Sequence, residues 1–409
     1  MKVIIIGAGP SGLLSALSMK NDNNEVIILE KNNVAGKKLL LTGNSKCNYF
    51  NENFNINFYN SNNKEFLKKI ITDTNKNKII NYLETIGIVP TINDGYYYPY
   101  SKTSSSFQNS LLLECNQKNI KIIYNENITK IEKINNKFII NDKYNSDVVV
   151  ISTGSKAYPK TGSDGYFYNY LQNKGIDIIK PMPALVPLIT DNKITKAWKG
   201  IRINASLSLY ENDKFIKKET GELQLTEYGI SGIVTMQLSS YIIRNLKNNK
   251  EEISINFLPN ITNIEKYLIE RNNKLPGRTN IELLEGLINY KLLYILLKNS
   301  KIENKKYNEL TTKEKEILIN LITNYKIQIT DYKDFNFSQV CSGGVNLNEL
   351  TENFELKKIK KMYTIGEITD VDGMCGGYNL AYAFISGYIA GKHIGGSNDK
   401  SKTNKNKCK

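Results

Sequence analysis

The sequence predicts an α/β fold: a parallel sheet that the chain begins, leaves for an insertion, and re-enters near its end. Three observations carry that expectation. The apolar run Val3-Ile4-Ile5-Ile6 leads straight into Gly7-Ala8-Gly9-Pro10-Ser11-Gly12; a second run, Val26-Ile27-Ile28-Leu29, ends on Glu30; and Met362-Tyr363-Thr364-Ile365 restores the strand grammar before Gly366-Glu367.

The first element is a buried strand turning sharply into a helix, whose unpaired N–H groups and positive dipole end suit a pyrophosphate. Gly7 permits the bend, Gly9 lets the backbone approach the phosphates with no Cβ in the way, and Gly12 lets the helix pack close to the strand. Leu13, Leu14, Ala16, Leu17 and Met19 supply that helix with apolar side chains. Glu30 stands 18 residues beyond Gly12, at the end of the second strand, where a carboxylate accepts both hydroxyls of an adenosine ribose and repels a 2′-phosphate. The predicted nucleotide is FAD or NAD rather than NADP.

A Gly/Lys/Asn/Cys-rich stretch over residues 35–48 follows. Residues 64–87 and 107–118 carry helical spacing, and strands are predicted over 120–124, 128–134 and 138–140. Asp147-Val148-Val149-Val150-Ile151-Ser152-Thr153-Gly154 is a buried strand ending in small residues, as expected at the edge of a nucleotide cleft. From about residue 185 to 258 the pattern alternates, which predicts an antiparallel β unit, and residues 261–325 switch to helical spacing with Lys and Glu on the polar faces. No second G-x-G-x-x-G occurs in this middle third. The chain then returns to its first domain, where Gly376-Gly377-Tyr378-Asn379 opens a helix with Leu380, Ala383, Phe384, Gly387 and Ala390 on one face.

At 409 residues, 40% hydrophobic and 23% charged, the chain is sized for two or three globular domains. No apolar run reaches the roughly 18 residues that span a bilayer, and residues 1–6 are too short for a signal peptide, so a cytoplasmic protein without a membrane partner is expected. Five cysteines (Cys47, Cys115, Cys341, Cys375, Cys408) form no C-x-x-C pair, and His393 is the single histidine, so neither a disulfide framework nor a metal site is expected. The formal charge of +15 attracts polyanions without selecting one. It leaves open a merely Lys-rich background, a nucleic-acid partner, or an anionic small molecule or membrane surface. The basic tail, residues 396–409, is expected to be disordered.

Longer phrases extend these motifs: Gly36-Lys37-Lys38-Leu39 through Thr42-Gly43-Asn44-Ser45-Lys46-Cys47-Asn48; Tyr158-Pro159-Lys160-Thr161-Gly162 with Asp164-Gly165-Tyr166; Pro183-Ala184-Leu185-Val186-Pro187-Leu188; Gly229-Ile230-Ser231-Gly232; Gly343-Gly344-Val345; and Gly376-Gly377-Tyr378-Asn379-Leu380. Together, up to about residue 393, they resemble the YhiN/BaiN family of FAD-dependent oxidoreductases, also called aminoacetone oxidase family FAD-binding enzymes. The resemblance implies a Rossmann-like FAD-binding domain of the two-dinucleotide-binding type (1–185 and 339–395), interrupted by a β-barrel-like domain (186–258 plus about 326–338) and a small helical domain (259–325). It implies FAD held non-covalently, with Gly7, Gly9, Gly12 and Glu30 on the ADP half. Thr42, Gly43, Asn44, Asn48, Gly366, Glu367, Asp370, Gly377, Tyr378, Asn379 and Leu380 would lie near the ribityl chain and ring. Pro10, Ser11, Lys31, Gly36, Lys37, Lys38, Thr153, Gly154 and Gly376 complete the expected cofactor set.

There are departures: Ser45-Lys46 where family members commonly carry Gly-Arg, Glu227 in place of a histidine, and Ile233 in place of a proline. Lys46 keeps the charge but loses the arginine fork.

In such an enzyme the flavin carries the redox chemistry and the protein supplies orientation and charge. Cys47 is a candidate proton donor, with Lys46 as the neighbouring charge that would lower its pKa, and Tyr378 is an alternative donor or stacking surface. Each also has a purely structural reading, Cys47 as a small packed side chain. Lys37, Lys38 and Lys46 are candidates for stabilising an anionic reduced flavin. The resemblance implies three substrate classes: small amino-ketones, steroid-like enones, and uridine in large-subunit ribosomal RNA. The charge, the tail and the lysine-bearing helical insertion favour RNA. On that expectation, reduced FAD delivers hydride to C6 of a flipped-out uridine, a general acid protonates C5, and NADH or NADPH re-reduces the flavin. The rivals are a small-molecule flavin reductase or oxidase acting on an enone or amino-ketone, and a non-catalytic RNA-binding protein stabilised by FAD.

Overall fold

The computed structural model describes residues 1–191, 194–243 and 250–396. The chain divides into two compact units, Met1–Met182 with Val340–Lys409, and Pro183–Gln339. The basic tail from residue 397 onward lies outside the described residues.

The first unit is built on a five-stranded sheet. Its strands are β1 (Lys2–Ile6), β2 (Glu25–Leu29), β3 (Lys121–Ile123), β4 (Val148–Ile151) and β5 (Met362–Thr364), in the order β5-β4-β1-β2-β3. Every neighbouring pair is parallel, with Ile4 opposite Val149 on one side and Ile27 on the other. Sheets of this kind are covered on both faces, which explains why β1, β2 and β4 are continuous apolar runs rather than alternating ones. Helix α1 (Pro10–Met19) makes the crossover from β1 to β2, α2 (Ser104–Gln117) precedes β3, and α3 (Tyr378–Ile394) closes the unit.

Helix α3 lies directly along α1 because of three glycines four residues apart. A Cβ on Gly391 would stand 2.5 Å from the Ser15 carbonyl oxygen and one on Gly395 2.9 Å from that of Met19. At Gly387 it would overlap the carbonyl of Ser11. With no side chains between them, the two backbones touch, and α3 is held against the length of α1.

The single helix predicted over 64–87 is two, Lys64–Ile70 and Asp73–Thr85. Thr72 ends the continuity: its backbone is extended and its hydroxyl accepts the Asn75 N–H at 3.2 Å, capping the second helix. Apolar spacing runs through such a cap without registering it. A small antiparallel ribbon, Phe50–Asn51, Tyr96–Pro99 and Pro90–Asn93, completes the part of this unit that bears on the site.

The second unit contains a closed six-stranded barrel, with strands ordered Leu188–Thr190, Gly229–Ser231, Lys214–Leu225, Arg202–Glu211, Glu251–Asn256 and Tyr325–Tyr332. Its interior is filled by the inward positions of alternating strands, such as Leu207 and Leu209 opposite Ile255 and Ile253. The helices Ile264–Lys274, Asn280–Leu284, Tyr290–Lys298 and Thr312–Thr323 share its hydrophobic core. The parallel sheet and the helical insertion are what the sequence pattern predicts, and the closed barrel is what the family resemblance implies. No helix of the described residues is long and apolar enough to cross a membrane.

Candidate functional site

The carboxyl ends of β1, β2 and β4 meet at Gly7, Glu30 and Ser152. Gly7 has φ +101°, and a Cβ there would stand 2.7 Å from the Ser152 carbonyl oxygen, so the turn requires glycine. Gly12 is closed in by the Gly7 backbone and by Ser152 Oγ, 2.5 Å from its Cβ position. Gly9 differs: the nearest protein atom to its Cβ position is 3.9 Å away. Pro10 leads α1, no side chain caps the helix, and no acidic residue occupies its first turn. The amides of that turn are therefore available to an anion.

Glu30 is buried, and its Oε2 accepts the Ala8 N–H at 2.7 Å. Its Oε1 accepts both the backbone N–H and Nδ2 of Asn32 at 2.8 Å. The glycine loop thus fixes the carboxylate it works with. Asn32 also donates to the Thr161 carbonyl at 3.1 Å, bringing the Tyr158-to-Gly162 phrase to this end of the site. Lys31 turns outward to pair with Asp164. Thr153 is half-buried just past β4, and Gly154 takes φ +73° with Ser163 Oγ 2.9 Å from its Cβ position.

The loop of residues 36–48 departs from the same place. Gly36, at φ +63°, donates its N–H to the Ala8 carbonyl at 2.8 Å. Further on, Gly43, Asn44, Ser45 and Cys47 all adopt left-handed backbone, with φ +55°, +57°, +63° and +58°. Such a run is costly for non-glycine residues and persists only where the surroundings hold it. Here the Cys47 N–H bonds the Thr42 carbonyl at 3.1 Å, Thr42 Oγ1 bonds that of Leu39 at 2.7 Å, and the Ser104 N–H bonds that of Ser45 at 2.8 Å. The twist leaves Asn44, Ser45 and Lys46 exposed and sends Cys47 into the core. Burial pushes the Cys47 thiol up to about 12, only partly opposed by the Thr42 side chain. A thiol lowered by Lys46 is thus not what the fold provides.

The returning segment packs against these pieces. Gly366, at φ +73°, leaves its Cβ position 2.5 Å from Ser11 Oγ and donates its N–H to Ser386 Oγ at 3.0 Å. Glu367 pairs with Lys38 Nζ at 2.7 Å and accepts Ser155 Oγ at 2.9 Å. Lys38 is therefore committed to a carboxylate, while Lys37 faces solvent. Asp370 Oδ2 accepts the Asn62 N–H at 2.9 Å. Gly376 and Gly377 have φ +119° and +92°, and a Cβ on Gly377 would stand 2.6 Å from Asn48 Oδ1. Asn379 locks the turn reciprocally, accepting the Gly373 N–H at 2.8 Å and donating to the Gly373 carbonyl at 2.7 Å. The Tyr378 hydroxyl donates to the Asn53 carbonyl at 2.9 Å, its ring stacks on Phe58 with centroids 4.8 Å apart, and burial pushes the hydroxyl up to about 12. Leu380 sits half-buried against the core.

These residues fit a flavin dinucleotide. The space over Gly9 and the uncapped start of α1 suit a pyrophosphate, and Glu30 is placed for a ribose. Asn48 Oδ1 is buried without a hydrogen-bond partner among the described residues, beside the equally uncapped start of α3, and so offers an acceptor to a ring N–H. Sequence reasoning did not single out Ser152, Asn32, Ser155 or Ser386. Ser152 lies inside the small-residue strand end already noted, whereas lone serines such as Ser155 and Ser386 carry no local signal.

Comparison with known proteins adds family evidence. The sequence profile of the HI0933-like protein Rossmann domain matches residues 1–393. The chain is 31% identical over 402 residues to a 3-dehydro-bile acid delta(4,6)-reductase of Clostridium scindens, covering 96% of this chain and 98% of the relative. It is 24% identical over 401 residues to the ribosomal RNA dihydrouridine synthase of Escherichia coli, covering 96% and 97%. Among solved structures, an open-conformation flavocytochrome c3 fumarate reductase aligns with a TM-score of 0.51 at 14% identity, over 97% of this chain and 78% of that one. A 3-ketosteroid-delta4-(5alpha)-dehydrogenase of Rhodococcus jostii aligns with a TM-score of 0.50 at 13% identity, over 96% of each. These two likenesses concern the fold.

Proposed function

Because this chain belongs to the HI0933-like Rossmann-domain family and is an FAD-dependent oxidoreductase, we propose that it reduces a carbonyl-conjugated ring C=C bond, and that the ring is a uridine of large-subunit ribosomal RNA. The product is dihydrouridine, with NADH or NADPH as the source of electrons. FAD, when bound, supplies the hydride chemistry. The chain's residues bind and orient: α1 amides and Glu30 take the ADP half, and Asn48 with the Gly376-Gly377 turn takes the ring end. Cys47 and Tyr378, both raised to about 12, hold their protons throughout the neutral range.

The observation that carries the RNA reading is the formal charge of +15, which suits a polyanionic substrate and does nothing for a neutral one. Two relatives named as ribosomal RNA dihydrouridine synthases, each aligned over nearly its whole length, support it. A second reading, reduction of a small steroid-like enone, is favoured by the higher identity to the bile-acid reductase.

One experiment separates them. The flavin is reduced anaerobically, and its reoxidation is followed with ribosomal RNA lacking dihydrouridine or with a steroid dienone as acceptor. Reoxidation by RNA, with a gain of two mass units on uridine, supports the first reading. Reoxidation by the dienone alone, or unchanged dihydrouridine content in ribosomal RNA when the gene is deleted, removes it.

A further inference from the structure

The antiparallel ribbon carries a face that packs at one end on the Gly376-Gly377 turn and extends beyond the cofactor site. Asn51 and Asn93 both lie opposite Tyr96, and Thr91 lies opposite Tyr98. Opposed residues, and those two apart along a strand, share a face. Asn51, Tyr96, Asn93, Tyr98 and Thr91 therefore lie on one side. Tyr97 lies on the other, meeting Tyr49 edge-on with centroids 6.4 Å apart.

This face begins at the ring end of the flavin site. A Cβ on Gly376 would stand 2.9 Å from the Tyr96 ring, and Asn51 Nδ2 donates to the Gly376 carbonyl at 3.2 Å. With the Asn93 amide turned to accept, Lys102 Nζ donates to it at 3.0 Å, which fixes a cation at the edge. Past the strand, Tyr100 is 74% exposed and borders an open groove of about 340 Å³ lined also by Ile88, Val89, Pro99, Phe107 and Ser106.

Tyr96 and Tyr98 are half-buried, so their rings are held yet reachable, and as alternate strand residues they stand about 6.8 Å apart. Rings for stacking and an ammonium for phosphate are the parts of a single-strand nucleic-acid platform. A small apolar substrate would instead call for an enclosed apolar pocket. Asp94 and Glu52 are exposed at the ribbon's tip, and their charges oppose a polyanion at that end of the face.

Resting on the RNA reading above, we propose that this face binds the unpaired RNA flanking the reacting nucleotide, with neighbouring bases stacked on Tyr96 and Tyr98 and a phosphate held by Lys102. The test uses the FAD-loaded full chain and a fluorescein-labelled oligouridine, read by anisotropy over a range of salt concentrations. Tyr96→Ala and Tyr98→Ala should each weaken binding about tenfold, in line with the loss of one stacked base. Tyr96→Phe with Tyr98→Phe, which keeps the rings, should bind within about twofold of the parent. Lys102→Gln should weaken binding and lower the salt slope by about one phosphate contact. FAD content reports folding of every variant. If the parent binds the oligonucleotide and the alanine variants, yellow and folded, bind it equally well, the platform is elsewhere and the RNA reading survives. If the parent binds no RNA at all, both fall.

Discussion

Lys38 and Glu367 stand 329 residues apart in sequence and 2.7 Å apart in space, joining the loop after the first βαβ unit to the segment that re-enters the sheet. Ser155 adds a third strand end through Glu367 Oε1 at 2.9 Å. Both partners are mostly shielded, with side chains 25% and 19% exposed. Removing either alone strands the other in a poorly solvated place. Lys38→Met and Glu367→Gln should each cost about 1–2 kcal/mol. The double variant should cost less than the sum by about 1 kcal/mol. Urea melts of the FAD-loaded protein check this, and strictly additive losses would show that the pair is incidental.

The cysteines should react in an order set by burial. Cys47, Cys115 and Cys341 are buried and each thiol is pushed up to about 12, whereas Cys375 is only half-buried. At pH 8 a thiol at 12 is about one part in ten thousand thiolate, and the thiolate is the reactive form. Iodoacetamide on the folded protein should label Cys375 well before these three, and labelling should spread to them only in denaturant. The pH–rate profile between 6 and 9 should accordingly lack a limb assignable to Cys47. Rapid native-state alkylation of Cys47 would contradict the environment described for it.

How much of this was legible in the chain depends on how local each signal is. Gly7, Gly9, Gly12 and Glu30 were readable because one strand–helix–strand unit contains them all, and backbone sterics dictate glycine at Gly7 and Gly12. The return at Gly366 and the helix opened by Gly377 were readable for the same reason. The commitment of Lys38 to Glu367 was not, because no local pattern couples residues so far apart. The packed reading of Cys47 is the one the fold realises, but the left-handed run that turns it inward was not legible, because Asn44 and Ser45 tolerate such a backbone without announcing it. Thr72 escaped notice because a single hydroxyl interrupts an apolar period without altering it.

Glu251, at the start of a barrel strand, gives the fold a pH dependence. It is 1% exposed, and burial first, then the charge of Glu211 directly opposite, raises its carboxyl to about 7. A folded-state value above the unfolded one means that the native state holds the proton more tightly. This contribution to stability is therefore complete below the ordinary carboxyl range and is lost as pH climbs through 7. Glu251→Gln should remove the slope, leaving stability at pH 5 nearly unchanged and raising it at pH 8 by about 1–2 kcal/mol. Urea midpoints across pH 4.5–8.5 measure it; parallel curves for parent and variant would assign the proton elsewhere.

Two glycines separate what the fold needs from what the cofactor needs. Gly387 touches the backbone of α1, so Gly387→Ala must push α3 away from Ser11 and should destabilise the protein by about 1–3 kcal/mol whether or not FAD is present. Gly9 touches nothing: with 3.9 Å to the nearest atom and φ −76°, an alanine there fits the protein itself. Its methyl group would instead occupy the approach to the α1 amides. Gly9→Ala should thus leave the FAD-free melt within about 1 kcal/mol of the parent, the difference expected for a glycine cap, while weakening FAD binding at least tenfold. Fluorescence titration of the stripped protein with FAD, alongside its melt, reads both quantities. A variant that binds FAD normally would mean that the pyrophosphate lies elsewhere, and an apo-protein that unfolds would mean that Gly9 serves the fold rather than the ligand.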